Sequence, residues 1–253
     1  MRRFVPMVFT LLIASASVVA AVAVGAPPAL ASTCTTVTTS HGSLTAAVVD
    51  PTSTVSGEVT PTGCDIGVYF GPGASGAVFD ATISDFVQYG VYNDGGKVTV
   101  EDSKISGIGD KPFDGVQYGI GVYFVNPNLV DSAFPSAAAT GTISGNTIDQ
   151  YQKGGITVNG SGSTAAVVDN TVTGLGPVPF IAQNGIQFGF GARVDVGTLQ
   201  GNIVSGNIYT EGSAPPGYVS TGFLFYETNV VGADLGPIAS SNHAYDNQAN
   251  IAF

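Results

Sequence analysis

TGTISGNTIDQYQKGGITVNGSGSTAAVVDNTVTGLGPVPFIAQNGIQFGFGARVDVGTLQGNIVSGN, residues 140–207, is the stretch that decides the fold. Short pieces recur within it: GTISGNTI (141–148), GGITVNG (154–160), AAVVDNTV (165–172), NGIQF (184–188) and GNIV (201–204). Each places apolar residues at alternate positions over a few residues and is bounded by Gly or Asn. That is the pattern of a half-buried strand, not of a helix. A self-similar chain of short strands predicts a solenoid, in which each coil buries its inner face only by stacking on the next.

Laid over one another, the coils give three columns. The first strand opens with Gly and an apolar residue at Gly90-Val91, Gly119-Ile120, Gly155-Ile156, Gly185-Ile186 and Gly222-Phe223. The second column holds Val98 to Val100, Thr140 to Ile143, Ala166 to Val168 and, less clearly, Val194 to Val196. The third follows a tight turn at Ser103, Asn146, Asn170 and Asn202. These columns predict an all-β chain, a single-stranded right-handed parallel β-helix with three short strands per coil. Asn146, Asn170, Asn202 and Asn242 then fall in register. There Asn suits a left-handed turn and its amide can bond the next coil.

Outward from this core, residues 1–31 read as a leader. Arg2 and Arg3 precede an apolar run, and Ala29-Leu30-Ala31 supplies a small-x-small cleavage site,. The expectation is a secreted, extracellular protein whose folded domain spans residues 32–253, with no membrane span after the leader. Loss of the leader takes the seven basic residues to five against 18 acidic, and the net charge from −11 to −13. Such a surface repels nucleic acid and anionic lipid.

Cys34 and Cys64, the only two cysteines, open the mature chain. In an exported protein they predict a disulfide that staples a cap over the first coil, whose strand edges would otherwise lie open. GPGASG at 71–76 is a literal G-x-G-x-x-G, but no helix follows it and Pro72 suits a turn, so it predicts no nucleotide site.

The chain resembles the secreted right-handed parallel β-helix proteins of the pectate-lyase-like superfold, and among them exported bacterial proteins without an assigned reaction. GNTIDQYQKGGI (145–156), DNTVTGLGPV (169–178) and IAQNGIQ (181–187) carry the resemblance. It implies a polysaccharide groove beside the first strand, with acidic residues along it and calcium in the lyases. The chain has neither the N-T-D, D-D and G-H-G set of polygalacturonases nor the R-x-P-x-x-R of pectate lyases.

The turn entering the first strand repeats as Asp85 to Gly90, Asp114 to Gly119 and Asp149 to Gly154, with a fourth copy at Phe180 to Gly185 that keeps the Gln and loses the Asp. In register, Asp85, Asp114 and Asp149 would stand roughly 5 Å apart on adjacent coils. Their repulsion, on the order of 3 kcal/mol per pair at an effective dielectric of about 20, asks for relief. A cation, a shared proton, Lys111 or Lys153, or solvent would supply it. Asp114 and Asp149 are thus candidate calcium ligands, and the three acids with Lys153 are candidate catalytic groups. Lys153 serves as a base only if desolvation or a neighbouring cation lowers its pKa; beside carboxylates it is a counter-ion. Gln88, Gln117, Gln152 and Gln183 form an amide ladder, or the last three a binding wall.

Tyr92, Tyr123, Thr157, Gln187 and Tyr226 point outward from the first strand, joined by Tyr118, Tyr151 and Asn184 in the entering turns. Aromatics beside amides suit sugar rings, which offer apolar faces and hydroxyl edges. The expected partner is a polysaccharide or cell-surface glycan. Three classes stay open: a polysaccharide lyase or glycoside hydrolase using the groove acids, a noncatalytic glycan-binding module, and a structural surface protein.

Overall fold

A computed structural model describes residues 33–60, 63–211, 217–231 and 236–253. The expected leader, residues 1–31, and residues 212–216 of a Pro- and Gly-rich break lie outside the described residues. The chain is mostly β. Among the described residues, helix is confined to Pro127–Val130, Gly236–Ser241 and a 3-10 turn at Val196–Thr198.

Nine strands form the first sheet, in the order Thr35–Thr39, Gly42–Val49, Ile66–Phe70, Tyr89–Asp94, Ile120–Val125, Gly154–Asn159, Asn184–Gly189, Thr221–Tyr226 and Ala249–Ala252. The opening pair is antiparallel and every later pair is parallel. The second sheet has eleven strands: Val55–Val59 at its start, and two arms that meet at the long strand it pairs with, Ser75–Ser84, bent at Asp80 with φ 49°. Its first half pairs with Lys97–Glu101, beyond which stand Thr140–Ser144, Thr164–Val168 and Leu199–Gln200. Its second half leads to Lys104–Ile108, Thr147–Tyr151, Thr171–Val178, Ile203–Tyr209 and His243–Tyr245. The chain gives one strand to the first sheet and one to each arm, then returns to the first sheet one strand further on.

Alternation decides what each strand buries. On the inward face Val68, Val91, Val122, Ile156, Ile186 and Phe223 stand in direct register and are all buried. They pack against matching columns of the second sheet, Val78, Val100, Ile143, Val167 and Leu199 in one arm and Ile83, Ile105, Ile148, Val172 and Val204 in the other. No circuit has a core of its own, so the fold is stable only as a stack.

The turns between the arms carry the expected asparagine column. Asn146 donates its backbone N–H and its side-chain amide to Asn170 Oδ1, Asn170 does the same to Asn202, and Asn202 to Asn242. The left-handed residue is not the asparagine itself, as the sequence suggested, but the one before it: Gly145, Asp169 and Gly201 all have positive φ, as does Asp102 before Ser103. The asparagines fill the corner that this conformation opens.

Three details depart from the sequence reading. Val122, not Ile120, stands opposite Val91 and Ile156, so the column glycine is Gly121. A Cβ on Gly90 would lie 2.5 Å from the carbonyl oxygen of Gly121, and one on Gly121 would lie 2.7 Å from that of Gly155; this close stacking admits only glycine. Arg193–Asp195 leaves the second-strand column to pair with Asn229–Val231 in a separate two-stranded sheet, and Leu199–Gln200 takes its place. The N-terminal cap is a β-hairpin, Thr35–Thr39 and Gly42–Val49, which reaches over the outward face of the first sheet.

Cys34 and Cys64 are bonded, 30 residues apart in sequence, and Cys64 is buried in the main core at the first circuit. The disulfide therefore ties the start of the hairpin to the end of the stack.

Candidate functional site

The outward column of the first sheet runs Tyr69, Tyr92, Tyr123, Thr157, Gln187 and Leu224. Its two halves have different fates. The hairpin covers the first half, where Val37 and Leu44 pack with Ile66, Tyr69, Tyr89, Tyr92, Ile120 and Tyr123 into a second apolar cluster. At the hairpin tip His41 faces the rings of Tyr89, Tyr92 and Tyr123 at 5.8–6.0 Å. Tyr92 is fully buried and Tyr123 nearly so, although the sequence placed both in an open groove. Burial raises the pKa of both phenols, and lowers that of His41 against the opposing pull of Asp94.

Beyond the tip the column is open, and three cavities of about 470, 130 and 420 Å³ lie along it. The floor is polar and uncharged. Gln187 donates to Asn159 Oδ1 at 3.1 Å, Asn184 to Gln187 Oε1 at 2.9 Å, and Thr221 to Asn184 Oδ1 at 2.9 Å. Thr157 lies beside them in the column. One wall is the loop carrying Gln117, the other is the segment from Phe180 to Ala182, and Tyr209, Tyr218 and Tyr226 line the far end. Phe190 meets Tyr226 edge to face at 5.2 Å, which props up an exposed aromatic platform.

Lys153 lines all three cavities. Its backbone is fixed in the ladder by bonds to Gly119 and Asn184, and its Nζ donates to the carbonyl of Ala182 at 2.8 Å. Among the described residues no Asp or Glu side chain lines these cavities. Desolvation alone lowers the amine's pKa to about 8. The counter-ion role expected of Lys153 among acids is thus replaced by that of a partly dehydrated amine among amides and phenols.

The three acids do not form one column. The two-residue shift at Gly121 moves Asp114 out of register with Asp85. Asp85 is an exposed left-handed residue paired with Lys111 at 3.3 Å. Asp114 Oδ1 accepts from the Val116 N–H at 2.8 Å and from Gln152 Nε2 at 3.2 Å, inside the wall loop. Asp149 sits within the second sheet opposite Ser106 and Thr173 and accepts the Ser106 hydroxyl. Asp114 and Asp149, the expected calcium pair, therefore take separate partners. Among the described residues no group of three or more His, Cys, Asp or Glu side chains is placed to hold a metal ion.

Other candidates turn out to anchor the groove. Tyr151 points into the core and donates to Asn207 Oδ1 at 2.6 Å. Gln152 is buried and pins the wall loop, accepting from the N–H groups of Asp110 and Asp114 and donating to Val116 O. Gln183, also buried, donates to Tyr151 O and accepts from Leu175 N. Tyr118 is half-buried and donates to Asp110 Oδ1 at 3.1 Å. Gln117 stays exposed on the loop. Of the predicted binding set, Gln117, Asn184 and Gln187 reach the open groove with Lys153, and Tyr123 reaches it at its covered end.

Sequence reasoning missed His41, Asn159 and Tyr218 as groove residues, whereas Thr157 and Tyr226, both read as outward positions, line it. Asn159 was legible from alternation, being two residues after the outward Thr157. His41 was not, because nothing local says that the hairpin tip lands on Tyr89 and Tyr123.

No family profile, curated protein or solved structure matches the chain.

Proposed function

We propose that this chain is an exported right-handed parallel β-helix, akin to the pectate-lyase-like proteins, that engages a polysaccharide or cell-surface glycan along the outward face of its nine-stranded sheet. Parallel strands that rejoin one sheet after a crossover are almost always connected right-handedly, which supports the handedness. The leader-like residues 1–31 and the Cys34–Cys64 bond suit an oxidising, extracellular setting,.

One observation carries the binding reading. The open half of the groove joins hydroxyl and amide groups at Thr157, Asn159, Asn184 and Gln187 to the aromatic faces of Tyr218 and Tyr226, with no Asp or Glu side chain in the lining among the described residues. Sugar rings need both kinds of surface, amides for hydroxyl edges and aromatic faces for C–H faces. Binding is favoured over hydrolysis by paired carboxylates, because Asp85, Asp114 and Asp149 each take a different partner. The test is a glycan array probed with the purified protein, followed by analysis of each bound glycan for chain cleavage. Selective retention of one glycan class supports the reading, and retention of none overturns it.

A further inference from the structure

We infer that Lys153 is a nucleophilic amine that captures aldehydes entering the groove as an imine, a covalent site for a small hydroxyaldehyde or the open-chain end of a reducing sugar. The inference rests on where the amine is held and on what surrounds it, and it stands whether or not the groove binds an intact glycan.

Four lysines occur in the chain, Lys97, Lys104, Lys111 and Lys153. The first three are exposed, and Lys111 pairs with Asp85. Lys153 alone is partly buried and lines three adjoining cavities. Its backbone is locked in the sheet, and the preceding Gln152 is buried and clamped to the wall loop. Its Nζ is therefore presented from a rigid base, tethered by a neutral acceptor, Ala182 O. The titratable groups facing it across the cavities are His41 and the phenols of Tyr89, Tyr123, Tyr209, Tyr218 and Tyr226. Among the described residues no Asp or Glu side chain stands in these linings to hold the amine as ammonium.

A lysine desolvated in this way is the form that attacks carbonyl carbon. With the amine's pKa at about 8 against an ordinary 10.5, its unprotonated fraction near neutral pH is on the order of 100-fold larger than that of a solvated lysine. In the step, the nitrogen lone pair forms an N–C bond while the C=O π pair moves to oxygen, and the proton that the now cationic nitrogen gives up passes to that oxygen. The resulting carbinolamine loses water to leave C=N. No redox partner is needed, and water reverses the reaction. The groove amides Asn184 and Gln187 and the Thr157 hydroxyl offer partners for the hydroxyls of a sugar-like aldehyde.

The test uses the purified protein with glycolaldehyde as the probe and cyanoborohydride to reduce any imine to a stable secondary amine, read by peptide mass mapping. Near neutral pH, the initial rate of adduct formation at Lys153 is expected to exceed that at each of Lys97, Lys104 and Lys111 by at least about ten-fold, allowing for the lower intrinsic nucleophilicity of a weaker base. In concentrated urea the four rates are expected to converge. Labelling of Lys153 at or below the rate of the exposed lysines overturns the inference, as does a preference that persists in the unfolded chain.

Discussion

Ser40, at the tip of the N-terminal hairpin, donates its backbone N–H and its hydroxyl to the two carboxylate oxygens of Asp94, at 2.9 and 2.8 Å and across 54 residues of chain. The Tyr92 hydroxyl meets the same Ser40 oxygen at 2.8 Å, and the Tyr69 hydroxyl reaches Asp94 at 3.4 Å. This buried cluster fastens the hairpin over the tyrosines and fixes where the covered half of the outward face ends. The groove begins at that edge.

Removing the carboxylate therefore releases the tip. In Asp94→Ala, Ser40 and Tyr69 lose their acceptor in a buried setting, at a cost of about 3 kcal/mol. The chain has no Trp, so tyrosine emission and quenching by added iodide report directly on the uncovered rings. A variant with unchanged stability and unchanged quenching would show that the hairpin is held by its apolar contacts alone.

Asn170 is the middle rung of the asparagine column, fully buried and bonded on both sides. Asn170→Ala leaves the Asn146 donors without an acceptor and opens a small void, so a loss of roughly 2 to 4 kcal/mol is expected by urea unfolding. Replacing exposed Asn128 in the same way should leave stability within about 0.5 kcal/mol.

The Cys34–Cys64 bond closes a 30-residue separation and, on the chain-entropy account, contributes about 3 to 4 kcal/mol. Mass spectrometry without reductant should find no free thiol. A double Cys→Ser variant that unfolds at the same urea concentration as the wild type would remove the stapling role.

Lys153 is expected to weaken the fold that holds it. Its folded pKa of about 8 lies below the ordinary 10.5, so below about pH 8 the folded state holds a partly dehydrated ammonium that the unfolded chain solvates freely. The penalty is fully present below that pH, falls as pH rises through the window, and is gone above 10.5, where both states are neutral,. Lys153→Met should therefore raise the melting temperature at neutral pH, by an amount corresponding to roughly 1 to 2 kcal/mol after allowance for partial exposure. The gain should shrink toward pH 10. A gain independent of pH would point to better packing instead.

Much of this architecture was legible in the sequence because it repeats. The three strand columns, the asparagine register and the cysteine pair each follow from a local pattern that the stack reuses. The errors come from places where local pattern is degenerate. Gly119 and Gly121 are two residues apart and so share a face of the strand, and alternation cannot choose between them; only the close approach of neighbouring carbonyls does. That slip put Asp114 in line with Asp85, and counting from Gly154 instead of its neighbour Gly155 did the same for Asp149. The fate of Tyr92 was hidden for a different reason. Its outward direction was read correctly, but its burial depends on a hairpin fifty residues earlier, joined through Ser40 and Asp94, and no periodicity encodes that contact.

The claim at the centre of this account is that glycans bind on the open half of the outward face, on the amide floor of Asn184 and Gln187. Calorimetric titration of a glycan retained on the array tests it most directly, into wild type, Gln187→Ala and, as a control on the second sheet, Asp149→Asn. Loss of at least about ten-fold in affinity is expected for Gln187→Ala, equivalent to roughly 1.4 kcal/mol, with Asp149→Asn unchanged. Undiminished binding by Gln187→Ala together with loss in Asp149→Asn would contradict it and move the binding surface to the other sheet.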